Sequence, residues 1–384
     1  MTVLIALCLA PFMQIGLSYY LAIQTFTMAL CFASPEKMRE LLNTRTLLCV
    51  FLAYGMVAST ALYPGAGTGD ILKAGREAIC LLLVVSALGS SMSLDLENGK
   101  SYFRIIAVIA IGLLFLVAAQ GVFLSRGIYF GLPQDLFVIN SGTLPDELDL
   151  IYSRLRPSGT FGEPSYLAAF CVTLAAAISP LWSTSRKAQV LFLVLVAVTY
   201  MSLSMLGVLA ISVLLCLRLV QSDKHWVIVF LVLLASGVSV LAIFSINSEI
   251  LDRIGAIARG EDVSASSRIF IPLMSLPDIL SVNPFGIPLR IFSDMGFLPG
   301  VNVPNKSFTH NSIFNVVINY GFVGVCMLGF MFWSAKGFLL KFVLFVLLMQ
   351  NGSFLAFDKV TLIALLVLIY NTTLHQRAVK MELR

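Results

Sequence analysis

Charge is what this chain has least of. Asp, Glu, Lys and Arg make up 12% of its 384 residues, against roughly 25% in a soluble globular domain, so most of the chain has to lie in lipid. Histidine is rarer still, with three copies. The seven cysteines (Cys8, Cys31, Cys49, Cys80, Cys171, Cys216, Cys326) all sit in apolar segments, with no CxxC and no loop pairs. That pattern argues against a disulfide framework or thiolate metal site and reads them as small buried hydrophobes. There is no basic run or basic helix, so the net charge of +5 gives no support for nucleic acid as a partner. The N-terminus lacks the basic region and small-residue cleavage site of a secretory signal, and residues 1–33 read as mature membrane sequence. Internal repeats and low-complexity tracts are also missing.

What remains is 59% hydrophobic, in apolar runs recurring every roughly 20 to 30 residues. Without water in the bilayer core each backbone N–H and C=O must be paired internally, so these runs are expected to be helices. Spans are expected near 45–63, 71–92, 104–124, 164–183, 188–203, 205–220, 226–245, 312–333, 338–350 and 355–373. Residues 1–33 admit either two short spans broken near Pro11 and Gly16 or one long tilted span. The fold class is therefore an all-α polytopic integral membrane protein, a single membrane domain over 1–384 with about 11–12 transmembrane helices.

Basic residues set the orientation. The connections holding Lys37, Arg39 and Arg45, then Lys100 and Arg104, Arg186 and Lys187, Arg218 and Lys224, Lys336 and Lys341, together with the tail, carry 14 of the 25 Lys and Arg but 6 of the 20 Asp and Glu. The positive-inside rule makes this set cytoplasmic and puts the C-terminus inside. The two long connections, 125–163 and 246–311, then face outward. Loops of that length in a compact bundle are commonly functional. In the second, Ile250, Ile254 and Ile257 have the spacing of an amphipathic surface helix.

Chemistry-bearing residues concentrate in these loops. The first ends in Arg154-Leu-Arg156-Pro-Ser-Gly-Thr-Phe-Gly-Glu163-Pro-Ser-Tyr, which runs straight into an apolar span. Two guanidiniums, a carboxylate, permissive glycines and a coming helix N-terminus make an anion-binding mouth. The plainer reading is that the arginines snorkel and Glu163 complements the helix dipole. The second loop holds Arg268, then Asn283-Pro-Phe-Gly286, then His310-Asn-Ser312 at the entrance to a span. His310 can accept a proton from an attacking hydroxyl, or it can be a hydrogen-bonded element of a helix cap. Asp146-Glu147-Leu148-Asp149 reads better as a solvated acidic loop than as a cation site. Ser202, Ser204 and Gly207, where two spans meet, read first as residues satisfying freed backbone groups. Arg76 and Glu77 inside an apolar segment invite a functional role by default, and they are what a transporter reading would rest on.

Read together, Arg156-Pro-Ser-Gly-Thr-Phe-Gly-Glu-Pro-Ser-Tyr-Leu-Ala168, the Ser202/Ser204/Gly207 turn, Ser267-Arg268 with Asn283-Pro-Phe-Gly286, and His310-Asn-Ser-Ile-Phe-Asn-Val-Val-Ile-Asn-Tyr-Gly-Phe-Val-Gly324 resemble the O-antigen polymerase (Wzy-type) and O-antigen ligase superfamily of bacterial envelope glycan assembly. The resemblance implies a glycosyltransferase of the bacterial cytoplasmic (inner) membrane whose site faces the periplasm or cell exterior. Its substrate would be an undecaprenyl-pyrophosphate-linked oligosaccharide among membrane lipids, and its partner a chain-length regulator protein. Arg156 and Arg268, with Arg154 as a second choice, would grip the pyrophosphate; His310 would act at the acceptor hydroxyl, with Glu163 as the rival base. Arginine forks meet phosphate oxygens bidentately and stay charged, so neither a metal nor another cofactor is expected. Glu163-Pro-Ser165 resembles the polymerases, whereas ligases tend to show Asn-Pro-Asn there. A polymerase is favoured over a ligase acting on lipid A core or protein, and over a lipid-linked oligosaccharide flippase.

Overall fold

A computed structural model describes residues 1–16, 22–33, 44–89, 93–94, 96–124, 126, 128, 130–132, 136, 156–220, 271–294, 311–350 and 355–382. Among these residues there are helices and no strand. In chain order they are α1 (Thr2–Leu9), α2 (Ile23–Phe32), α3 (Thr44–Ala61), α4 (Thr68–Gly89), α5 (Leu96–Leu124), α6 (Pro164–Ile178), α7 (Arg186–Met201), α8 (Met205–Val220), α9 (Ile271–Val282), α10 (Leu289–Asp294), α11 (Ser312–Ser334), α12 (Gly337–Leu348) and α13 (Phe357–Glu382). Among the described residues, four helices are long and apolar enough to cross a membrane, at Lys100–Leu124, Pro164–Leu181, Ser312–Ser334 and Phe357–Val379. Shorter apolar helices accompany them, and the chain is an all-α polytopic membrane protein. The span expected at 226–245 and the amphipathic helix at 250–257 lie outside the described residues.

The bundle is built around α6. Apart from Ser165, every residue of this helix is buried, as expected for a helix that is apolar on all faces. Ala168, Ala169, Ala175, Ala176 and Ala177 let neighbours approach closely, which matters in lipid because apolar burial alone does not drive helices together. α7, α8, α12 and α13 pack on it. α5 lies at the rim and turns Val108 and Phe115 outward, each at least 70% exposed.

The described residues of 1–33 form two short helices. A turn at Ala10–Phe12, placed by Pro11, ends α1, and Gly16 pairs with Ala22 before α2 begins. At 1.5 Å per residue, the ten residues of α2 extend ~15 Å, half of a ~30 Å core; one long tilted helix is thus ruled out. The α7–α8 break falls at Ser202–Ser204 as expected. The Ser202 hydroxyl donates to Thr199 O (2.7 Å) and accepts from Ser204 N (3.3 Å), so the turn closes on itself. A Cβ on Gly207 would overlap that of Ala168, which makes the glycine the contact point of α8 with α6. The cysteines divide differently from expectation. Cys31, Cys49, Cys80 and Cys171 are buried, but Cys8 and Cys326 are exposed, because they fall on outward helix faces.

The two ends of the bundle differ in kind. At one end lie Arg45, which donates to Ser334 O (3.2 Å), Arg218, which donates to Ser179 Oγ (2.8 Å), and Tyr102, which donates to Gln376 Oε1 (3.1 Å). This end gathers residues of the basic set. The first turns of α6, α11 and α13 meet at the other end.

Candidate functional site

Gln120, near the C-terminus of α5 and buried, holds the stretch before α6 by its backbone. Its Oε1 accepts from Gly159 N (2.7 Å) and Ser158 N (3.2 Å), and its Nε2 donates to Gly159 O (2.9 Å). Gly159 has φ +64°, a left-handed conformation that suits glycine. The chain then crosses the tip of the N-terminal hairpin, where the Thr160 hydroxyl donates to Pro11 O and Gly162 N donates to Gln14 Oε1 (3.1 Å). Phe161 is buried with its ring 5.3 Å from that of Phe170. The segment is therefore fixed by side chains, most of them gripping its backbone, before it enters α6 through Pro164 at the first helical position, where a missing N–H costs nothing.

Glu163 is the N-cap residue of α6, but its side chain makes no capping bond. Its Oε2 accepts from the Ser165 hydroxyl at 3.1 Å. Beside it, Gln350 Nε2 donates to Ser165 O (2.7 Å), and the Ser312 hydroxyl of α11 donates to Gln350 O (2.9 Å). Lys359, in the first turn of α13 and only 1% exposed, donates from Nζ to Ser312 Oγ. Asp358 is equally buried, next to Lys359 and the Gln14 side chain. Three helix N-termini, each with a positive dipole end, thus converge with a buried ammonium. Gln350 Oε1, buried in their midst, has no partner among the described residues.

Further along α11 the helix breaks at Gly321 (φ 57°, ψ −132°). The Asn283-Pro-Phe-Gly286 loop plugs into the break: Phe322 N donates to Pro284 O (2.9 Å) and Ile287 N to Ile318 O (2.7 Å), while Leu289 N donates to Asn319 Oδ1 (3.0 Å). A Cβ on Gly286 would sit 2.5 Å from the Asn319 backbone, and one on Gly321 would overlap Pro284 O. On the other side of the break, Tyr320 donates its hydroxyl to Glu77 Oε2 (2.7 Å). α10 is then tied to α4 by Arg290, whose Nη2 and Nε reach Asp70 at 2.8 and 3.2 Å. The guanidinium holds the Asp70 carboxyl below the usual carboxylate range.

A family model for WcaD colanic acid polymerase matches residues 1–378. The chain belongs to this family. It is a membrane-embedded polysaccharide repeat-unit polymerase, with the glycosyltransferase-type activity that the family implies. No curated protein and no solved structure matches it.

Of the residues singled out in this WcaD-family polymerase, Glu163 and Arg156 are described. Arg156 is half-buried and engaged with its surroundings, seven positions ahead of Glu163 on the clamped segment. His310, Arg268 and Arg154 lie outside the described residues, as does the acidic run 146–149. The structure brings the Arg156–Ala168 motif against Gly207, and the Asn283–Gly286 motif against Asn319–Gly321. It also adds residues that a reading of the sequence passes over. Lys359 and Asp358 look like the edge of an apolar span, although an ionisable pair there is itself a signal. Gln14, Gln120 and Gln350 are isolated amides whose partners are distant in sequence.

Proposed function

We propose that this polymerase transfers a growing glycan from a polyprenyl pyrophosphate to a hydroxyl of a lipid-linked repeat unit, at the bundle end where α6, α11 and α13 begin. One observation carries the reading: three helix N-termini and the buried Lys359 ammonium converge beside Glu163. A glycosyl pyrophosphate is already activated. The enzyme has to stabilise the negative charge of the leaving pyrophosphate and to orient or deprotonate the acceptor. Helix N-termini and a buried cation favour an anion, and Arg156 and Arg268 add bidentate donors. The orphaned Gln350 oxygen supplies an acceptor for a sugar hydroxyl.

Under this reading His310, which precedes the cap of α11 in sequence, takes the acceptor proton, and the carboxylate of Glu163 is the rival base. The acceptor's hydroxyl oxygen bonds to the donor's anomeric carbon as the bond from that carbon to the pyrophosphate oxygen breaks, and the hydroxyl proton passes to the base. The basic end of the bundle faces the cytoplasm by the positive-inside rule, so the site opens to the periplasm or cell exterior, where a chain-length regulator would meet it. Purified chain incubated with a synthetic undecaprenyl-pyrophosphate repeat unit should produce a ladder of products. Transfer of one unit to lipid A core or protein would identify a ligase instead, and no transfer would remove the reading. His310→Ala should abolish the ladder, whereas full polymerisation by that variant would take the histidine out of the mechanism. Arg268→Lys should be poorly tolerated, because a point charge does not reproduce a guanidinium fork.

A further inference from the structure

A groove of about 540 Å³ runs along the outside of the bundle between α3, α4 and the start of α13, within the ~300–1,000 Å³ range of small-molecule sites. Its wall is apolar, made by Val57, Ile79, Cys80 and Phe357, and Gly75 leaves a gap in it. A Cβ at Gly75 would meet nothing within 4 Å. The one charged side chain in the lining is Arg76. Its guanidinium lies over the Phe357 ring, 5.7 Å from the centroid, and it forms no ion pair among the described residues. The neighbouring carboxylate, Glu77, is turned to Tyr320.

The groove and the site share the start of α13, where Phe357 lines the one and Lys359 belongs to the other. Phe357 is two residues before Lys359, and Glu77 is close enough to act on the Lys359 charge. An apolar slot on the outside of the bundle that carries one exposed cation matches a molecule with a hydrocarbon tail and an anionic phosphate head. A branched isoprenoid fits a slot with a glycine gap, and the cation complements its phosphates.

We propose that this groove holds the isoprenoid tail of the lipid-linked substrate, with Arg76 meeting its phosphate and directing the sugar toward Lys359 and Glu163. The assignment rests on the lipid-linked reading given above. It makes tail length a determinant of specificity, read by α3 and α4.

The test compares donors that carry the same repeat unit on an undecaprenyl and on a geranyl tail, using full chain in nanodiscs. The wild-type chain should favour the long tail in kcat/KM by about tenfold or more. Gly75→Phe, which fills the slot, should bring the two donors within about twofold of each other, chiefly by raising KM for the long one. Arg76→Gln should lower kcat/KM for both by about tenfold. A folded Gly75→Phe chain that keeps the full long-tail preference overturns the groove assignment while leaving the polymerase reading intact. A wild-type chain that extends neither donor removes both. As a check that needs no substitution inside the slot, a photo-crosslinking residue at Leu72, on the outer edge of the groove and 74% exposed, should capture undecaprenyl pyrophosphate. That capture should survive excess phosphatidylglycerol; equal competition by the phospholipid would make this a general lipid surface and sink the proposal.

Discussion

The two motif clusters are secured by opposite means. The stretch before α6 is held by side chains: Gln120, Gln14 and Gln350 each reach across to backbone groups of a distant segment. The Asn283–Gly286 loop is held by backbone against backbone, interlocked with the break in α11 at a spacing that leaves no room for a Cβ. A side-chain clamp gives way locally when its one residue is changed. A backbone interlock has no such release, since any substituent at its glycines pushes two elements apart. The first cluster, next to Glu163, is accordingly the adjustable one and the second is the rigid brace.

The brace should break hardest. Gly321→Ala places a Cβ where Pro284 O lies and forces an L residue into φ 57°, ψ −132°. Overpacking and backbone strain together should cost about 3 kcal/mol, read as a large fall in Tm in detergent and loss of polymerisation. A Tm close to wild type would mean that the interlock does not exist. Gln120→Leu comes next. It removes the partner of Gly159 N–H and C=O and of Ser158 N–H, but the stretch gives way locally and lets the freed groups reach water, so the loss should be about 1–2 kcal/mol in all. Turnover should drop by at least about tenfold, with a smaller Tm loss than for Gly321→Ala. The reverse order of the two Tm values would overturn the contrast between clamp and brace.

Tyr320→Phe tests a side chain inside the rigid cluster. It removes one hydrogen bond to Glu77, and polar contacts between membrane helices are worth about 0.6–1.7 kcal/mol. A modest Tm shift with retained activity is expected, and loss of the fold would show that the brace depends on this side chain. The smallest effect concerns the Asp70–Arg290 pair, whose arginine is exposed. The arginine holds the folded-state pKa of Asp70 below its ordinary value of 3.8. The pair's stabilisation is thus complete above that ordinary value and is lost as pH falls through the lower folded one. A thermal-shift series below pH ~4 should show a small loss of Tm that is absent in Arg290→Ala. Identical acid profiles for the two proteins would deny the pair any part in holding α10 to α4.

The features legible in the sequence are those with local causes. Pro164 marks the start of α6, Ser202 to Ser204 mark the α7–α8 turn, and the spacing of apolar residues marks the long helices. Glu163 and Gly159 stand out because a polar, glycine-bearing stretch meets an apolar run. The break in α11 is harder to see. Gly321 sits in an apolar segment like many other membrane glycines, and only the approach of a loop more than thirty positions earlier gives its φ a reason. Lys359 is similar: one lysine beside one aspartate at the edge of a span suggests snorkelling, until Ser312 and Gln350 are seen to enclose it. The short N-terminal helices were open for a third reason, because Pro11 and Gly16 permit a break without requiring one.

The burial of α6 also bears on how the protein is made. Chains are synthesised from the N-terminus, and the helices that cover α6, namely α7, α8, α12 and α13, all follow it in the sequence. When α6 enters the bilayer this later wrapping does not yet exist, and the Thr173 hydroxyl, buried in the finished bundle, has none of it to hide behind. It bonds back to its own helix, to Ala169 O at 2.7 Å. The helix at the centre of the enzyme is chemically self-sufficient during the interval in which it waits for the rest of the chain to arrive.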